Sequence, residues 1–217
     1  MTALELLPIV NRCGMSAVTM HGRTRQQRYT KSADWKYIQS AATFAKEKCA
    51  GLPVIANGDV YTFEDYEEIV NPASDVTTVM IARGALVKPW IFQEIRERRH
   101  IDISAGERLD MLRDFVRYGH EHFGTDTKGV ESTRRFLLEM LSFLHRYVPV
   151  GLLERPRVSI QQKNPPFYAR SDLEQLLGSP DAKDWVRISE MLIGPVPDGF
   201  RFTPKHKSST QSEESNG

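Results

Sequence analysis

Val54-Ile55-Ala56-Asn57-Gly58-Asp59 and, about twenty residues later, Val79-Met80-Ile81-Ala82-Arg83-Gly84-Ala85 decide the fold. Each is a short apolar run that stops at small or polar residues carrying a glycine. Runs bounded in this way, with helical segments between them, are the pattern of buried parallel strands in an α/β fold. Upstream, Ala17-Val18-Thr19-Met20 reads as a further strand running into His21-Gly22-Arg23-Thr24-Arg25. In a closed barrel of eight βα units, the loops after the last two strands commonly build a phosphate site from backbone N–H groups. Gly58 allows close backbone approach to a ligand, and Arg83 offers a planar fork for phosphate oxygens.

Around these strands the periodicity predicts helices. Leu4, Leu6, Leu7, Ile9 and Val10 suit a helix with Gly14 just past its end. Ser32 or Asp34 can cap a helix reaching about Cys49, and Thr62 or Asp65 one over 62–70. A single helix is expected from about Leu86 to Arg99. After His100 only helices follow. Leu109, Leu112, Phe115 and Val116 make one apolar stripe, opened by a Ser104/Glu107 capping box. Val130, Thr133, Leu137, Leu141, Leu144 and Tyr147 make a second, ended by Pro149. Pro156, Pro165 and Pro166 mark an irregular crossing, and two shorter helices over 172–177 and 182–193 end at Gly194-Pro195. The fold class is therefore α/β: the C-terminal three βα units of a (β/α)8 TIM barrel, followed by an all-α domain. The expected boundaries are 1–101, 102–200 and a polar, disordered tail at 201–217. A full barrel needs eight strands and typically about 250 residues. With three strands in the first hundred residues, the expectation is either a further segment upstream of Met1 in the working protein or an unusual fragment.

Composition narrows the function classes. The 217 residues are 40% hydrophobic and 26% charged, with no run approaching a membrane span. The first residues lack a basic n-region and a long apolar h-region, so the protein is expected inside the cell, in cytoplasm and/or nucleus. Two cysteines cannot make a disulfide framework. A net charge of +1 gives no global argument for nucleic acid, so any such argument must be local.

His21 ends a strand, where barrel enzymes place ligand-facing side chains; a histidine satisfied by a neighbouring loop is the alternative. Arg23, Arg25, Arg28 and Lys31, with Tyr29 between them, suit a nucleic-acid backbone or, equally, a solvated turn. Asn57-Gly58-Asp59 is either a ligand loop or a tight turn. Arg83 follows a buried strand and calls for an anion or carboxylate partner. Arg134-Arg135, Arg96-Arg98-Arg99 and Arg155-Arg157 can form a basic face on helices. Trp35, Trp90 and Trp185 are expected as core anchors, and Cys13 and Cys49 as buried spectators within helices. His120 and His122, two apart, face different directions on a helix and do not resemble a metal pair.

Taken together, Val18-Thr19-Met20-His21-Gly22-Arg23-Thr24-Arg25, Ala33-Asp34-Trp35, Val54 to Asp59, Met80 to Ala85 and Pro89-Trp90-Ile91-Phe92 resemble the tRNA-dihydrouridine synthases. Thr133 to Glu139, Arg146 to Glu154, Tyr29-Thr30-Lys31 and Gly194-Pro195-Val196-Pro197 are similar to the eukaryotic tRNA-dihydrouridine(47) synthase branch. The resemblance implies an FMN-dependent oxidoreductase that takes electrons from NADPH and reduces the C5=C6 bond of one uridine in tRNA. It further implies a helical domain that helps grip tRNA, a monomeric full-length enzyme, and neither metal nor membrane as partner. Position by position it carries over His21, Asn57, Gly58, Asp59, Ala82 and Arg83 as FMN contacts. Arg23 and Arg25 become tRNA or flavin-edge contacts, and Arg134 and Arg135 further tRNA contacts. The family's acid cysteine, in an Asn-x-Gly-Cys-Pro loop, has no counterpart here, nor has its lysine-bearing strand. No catalytic residue is assigned in this chain, and the 217 residues alone are expected to reduce no uridine. The runner-up is a truncated tRNA-binding module without catalysis. A dihydroorotate-dehydrogenase-like barrel is a third reading, opposed by the His-Gly-Arg-Thr-Arg run and the helices.

Overall fold

The computed structural model describes residues 2–27, 31–152 and 167–205. Arg28, Tyr29 and Thr30, the proline crossing at 156–166, Arg155, Arg157 and the tail from 206 lie outside the described residues. The rest falls into two compact units, one ending at His100 and one beginning at Ile101.

The first unit is built from α1 (Ala3–Arg12), β1 (Val18–His21), α2 (Trp35–Lys48), β2 (Val54–Asn57), α3 (Phe63–Ile69), β3 (Thr78–Met80), α4 (Arg83–Val87) and α5 (Ile91–Glu97). The strands form a parallel sheet in the order β1–β2–β3. Register puts His21 opposite Asn57, and Asn57 opposite Met80, so all three strands end in one row. Parallel pairing requires crossovers, and α2 and α3 supply them. Asp34 caps α2 through the Tyr37 N–H, while Thr62 and Asp65 close a capping box on α3. Helix α2 presents Ile38, Ala41, Ala42 and Ala45 to the core, an i, i+3, i+4, i+7 stripe. Its small side chains bring the helix close to Val54, Ala56 and Met20 of the sheet.

Three expectations are corrected. The single helix from Leu86 to Arg99 is two, because Pro89 lacks an N–H and forces Lys88 into extended backbone at φ −133°, ψ 89°. A nearly wholly buried pair, Lys88 Nζ to Glu94 Oε2 at 2.5 Å, spans the break. Strand β3 is not buried on both sides: among the described residues it pairs only with β2, and Met80 is exposed. Cys13 ends α1 exposed to solvent; only Cys49 is buried. Trp90 and Trp185 are core residues as expected, whereas Trp35 is partly buried.

The second unit contains α6 (Ala105–Phe123), α7 (Thr127–Leu144), a single 3-10 turn at Val150–Leu152, α8 (Asp172–Leu177) and α9 (Ala182–Ile193). The Ser104/Glu107 capping box forms as expected. Leu112 and Val116 of α6, Leu137 and Leu141 of α7, and Trp185 and Ile188 of α9 are buried. Helices α6 and α7 approach so closely at Gly119 that an added Cβ would lie 2.5 Å from Thr133 Cγ2. That approach leaves the Thr133 hydroxyl buried without a partner. Replacing an unsatisfied buried hydroxyl by a methyl of like shape removes a desolvation cost. Thr133→Val is thus expected to be neutral or to stabilise by up to about 1 kcal/mol, read as an unchanged or raised urea midpoint. A clear loss of stability would mean that the hydroxyl is satisfied in solution.

Candidate functional site

Because the strands end in register, the residues after β1, β2 and β3 share one end of the sheet. This is the end where open and closed α/β sheets bind ligands. All six residues expected at a cofactor lie at this end, and the side chains of Asn57 and Asp59 turn out to be engaged internally. Asn57 Nδ2 donates to Met80 O at 2.7 Å, stitching the end of β2 to β3. Its own carbonyl accepts from the Gly22 N–H at 3.1 Å, stitching β2 to the residue after β1.

Gly58 follows with φ +123°, a backbone that L side chains rarely adopt. A Cβ there would stand 2.8 Å from Ala33 Cβ and 3.3 Å from His21 Cε1. The glycine therefore lets the His21 ring lie directly over the β2 loop. Its carbonyl accepts from Trp35 Nε1 at 2.9 Å, which ties the start of α2 to the same loop. The Trp35 bond has no sequence signal beyond its place after Ala33-Asp34.

Asp59, at φ 55°, does not face solvent with a free carboxylate. Oδ2 accepts from the Ala33 N–H at 2.7 Å and from Arg23 Nη2. The Arg23 side chain is 2% exposed, and its Nε donates to Lys31 O at 2.5 Å. Arg23, expected at tRNA or the flavin edge, is thus an internal strut. Its neighbour Arg25 is exposed.

Ala82 is an exposed residue preceding Arg83, the first residue of α4. Helix α4 can sit here only because position 84 is glycine: a Cβ would lie 2.1 Å from Val60 O. Arg83 acts electrostatically on His21. Burial, then Arg23 and Arg83, push the His21 imidazolium pKa below 6.5, with Asp59 opposing. His21 is accordingly a neutral imidazole at neutral pH, able to donate from one nitrogen and accept at the other. What the arrangement offers chemically is a cation, a neutral imidazole and close-approach backbone at one set of strand ends. Cys13 ends α1, and Cys49 lies in the core at the end of α2.

In the helical unit the paired arginines separate. Arg134, expected at tRNA, is buried and donates to Ser189 Oγ (2.9 Å), Gly194 O (2.8 Å) and Pro195 O (3.3 Å). It satisfies the carbonyls that end α9, where glycine and proline stop the helix. Arg135, one residue on and about 100° round the helix, is exposed. Among the described residues no group of three or more His, Cys, Asp or Glu could hold a metal, and no helix is long and apolar enough to cross a membrane.

Comparison with known proteins agrees with the motifs. The sequence profile of the family described as dihydrouridine synthase (Dus) matches residues 1–146. The chain is 53% identical over 213 residues to a protein of Arabidopsis thaliana named tRNA-dihydrouridine(47) synthase (NAD(P)(+))-like, covering 98% of this chain and 30% of that one. It is 56% identical over 206 residues to the Homo sapiens protein of the same name, covering 95% and 31%. Against the tRNA-dihydrouridine(47) synthase (NAD(P)(+)) of Coprinopsis cinerea the identity is 54% over 222 residues, covering 99% and 33%. The chain thus spans about a third of the length of these relatives.

Proposed function

Since the chain belongs to the dihydrouridine synthase family, we propose that it is the cofactor-phosphate end of an enzyme that reduces a uridine of tRNA to 5,6-dihydrouridine. The cofactor in this reading is FMN, recharged by a reduced nicotinamide. The sheet supplies the last three βα units of a TIM barrel, and the helical unit contacts tRNA. One observation carries the reading: His21, the 57–59 loop and the 82–83 turn meet at the carboxyl ends of three parallel strands in register.

The residues present fit a phosphorylated, planar cofactor. Gly58 leaves no room for a side chain of its own, Ala82 is small and exposed, and Arg83 brings a fixed positive charge. His21, neutral and over Gly58, is placed to hydrogen-bond a ring edge without adding charge. The hydride chemistry belongs to the bound cofactor. This chain's residues grip and orient it, and Asn57 holds two strand ends at fixed spacing while they do so. Because neither cysteine lies at the strand ends, the proton for the second carbon is assigned to a residue outside these 217. Turnover therefore requires the rest of the barrel. For tRNA we assign Arg25 and Arg135, the exposed members of their pairs, in place of Arg23 and Arg134.

The test replaces the matched third of the Arabidopsis relative with this chain and measures flavin retention and dihydrouridine in tRNA. The chimaera is expected to form dihydrouridine, and Arg83→Ala in it to weaken FMN binding by at least tenfold, the order of one lost charged phosphate contact. The isolated 217 residues are expected to form none. Flavin binding unchanged by Arg83→Ala would refute the assignment of the phosphate site. Dihydrouridine formed by the isolated chain would refute the need for an outside proton donor.

A further inference from the structure

We infer that Asp59 is a positioning residue for tRNA binding, a latch that holds the two arms of the β1–α2 connection together so that Arg25 is presented ready to meet a phosphate. The inference rests on the tRNA reading above and removes Asp59 and Arg23 from the set of direct ligands.

The latch is made of contacts far apart in sequence. Asp59 Oδ2 takes the Arg23 guanidinium from the outgoing arm and the Ala33 N–H from the returning one. The same guanidinium reaches the Lys31 carbonyl through Nε. Below it, the Asp34 N–H donates to Gly22 O at 2.7 Å and closes the base of the connection. Arg23 Nη1 is buried without a hydrogen-bond partner, so this guanidinium is spent inside the protein. Immediately beyond it the chain makes a tight turn. Thr24 N–H donates to Gln27 Oε1 at 2.8 Å, and Gln27 N–H to Thr24 Oγ1 at 3.3 Å and Thr24 O at 3.2 Å. Arg25 occupies the second position of that turn and points its charge to solvent. A buried strut and a self-bonded turn thus fix the backbone of an exposed arginine, which lowers the ordering cost of binding. Left-handed backbone at Asp59 is tolerated by Asp and Asn, so the carboxylate can be removed without changing the turn.

The sign of one substitution separates this latch from a simple charge effect. Asp59→Asn removes one negative charge from the chain, and charge alone would tighten binding to a polyanion. Loss of the latch would weaken it. The experiment measures tRNA affinity against salt concentration, and amide exchange, for the 217-residue chain and the variants Asp59→Asn, Arg23→Lys and Arg25→Ala. Protection of the α2 amides serves as the check that each variant is folded. Asp59→Asn and Arg23→Lys are expected to speed exchange at Ala33 and across 22–27 by tenfold or more. Both should weaken tRNA binding on the order of fivefold with the salt slope unchanged. Arg25→Ala should leave exchange as it was and lower the slope by about one. Tighter binding by Asp59→Asn, or a slope lowered by Arg23→Lys, would overturn the latch, as would unchanged exchange in both. If the unsubstituted chain binds no tRNA, the functional reading fails, and exchange alone still decides whether Asp59 holds the arms.

Discussion

Gly84→Ala is expected to cost the sheet-bearing unit about 3 kcal/mol or more, a large fraction of a domain's stability. Two effects oppose each other at this position. Alanine in a helix is favoured over glycine by about 1 kcal/mol, and Gly84 lies within α4. Against that, the new Cβ would stand 2.1 Å from Val60 O, far inside any real contact. The carbonyl cannot step aside, because Val60 is buried and the next two residues donate their N–H groups to Asp65 Oδ2. The clash wins. Gly106 in α6 is the control, since a Cβ there meets nothing nearer than Ser104 Oγ at 3.8 Å. Gly106→Ala should stabilise by up to about 1 kcal/mol. Urea unfolding monitored at the β2 amides for the first variant, and at the α6 amides for the second, reads both. A Gly84→Ala protein with native protection of β2 would show that α4 can move off the Val60 loop.

Acidification is expected to strip about 3 kcal/mol from the helical unit between pH 6.5 and pH 4 through His145 alone. The ring is buried beside Trp185, with ring centroids 5.1 Å apart. Burial, helped by the neighbouring Arg146, lowers its pKa from 6.5 to about 4 against the opposing Leu141 carbonyl. In the unfolded chain the same imidazole takes up its proton near pH 6.5. The unfolded state therefore binds the proton first as pH falls, and each pH unit in that window removes about 1.4 kcal/mol. Above pH 6.5 both states are neutral and His145 contributes no slope. Stability against pH, followed by the fluorescence of Trp185 after replacing Trp35 and Trp90 by phenylalanine, should fall across this window. His145→Gln should flatten it. An equal acid slope in that variant would assign the loss to carboxylates.

Much of the architecture was legible in the residues because it rests on short-range chemistry. Apolar runs ending in glycine marked β1, β2 and β3, and capping residues marked the starts of α2, α3 and α6. These signals act over three or four residues, so no knowledge of the remaining chain is needed to read them. Pro89 was equally visible, and its consequence, the split of α4 from α5, follows from the missing N–H at one position. The site was legible as a set of positions, since strand ends in a parallel sheet share one edge by construction.

What each side chain does there was decided by tertiary structure. Arg23 and Arg25 are two residues apart and identical in type. One is a buried strut because Asp59, thirty-six positions away, folds back over it, and the other is left in water. Arg134 and Arg135 divide in the same way: the first meets carbonyls sixty residues on, the second lies on the outer face of the helix. Local sequence determined which segments become strands and helices, and which end of the sheet carries glycine, histidine and arginine. Only the packing of distant segments decided which of those charges are spent holding the fold and which remain for a ligand. A charge is desolvated, and so committed to an internal partner, by atoms that its own neighbours in the chain do not supply.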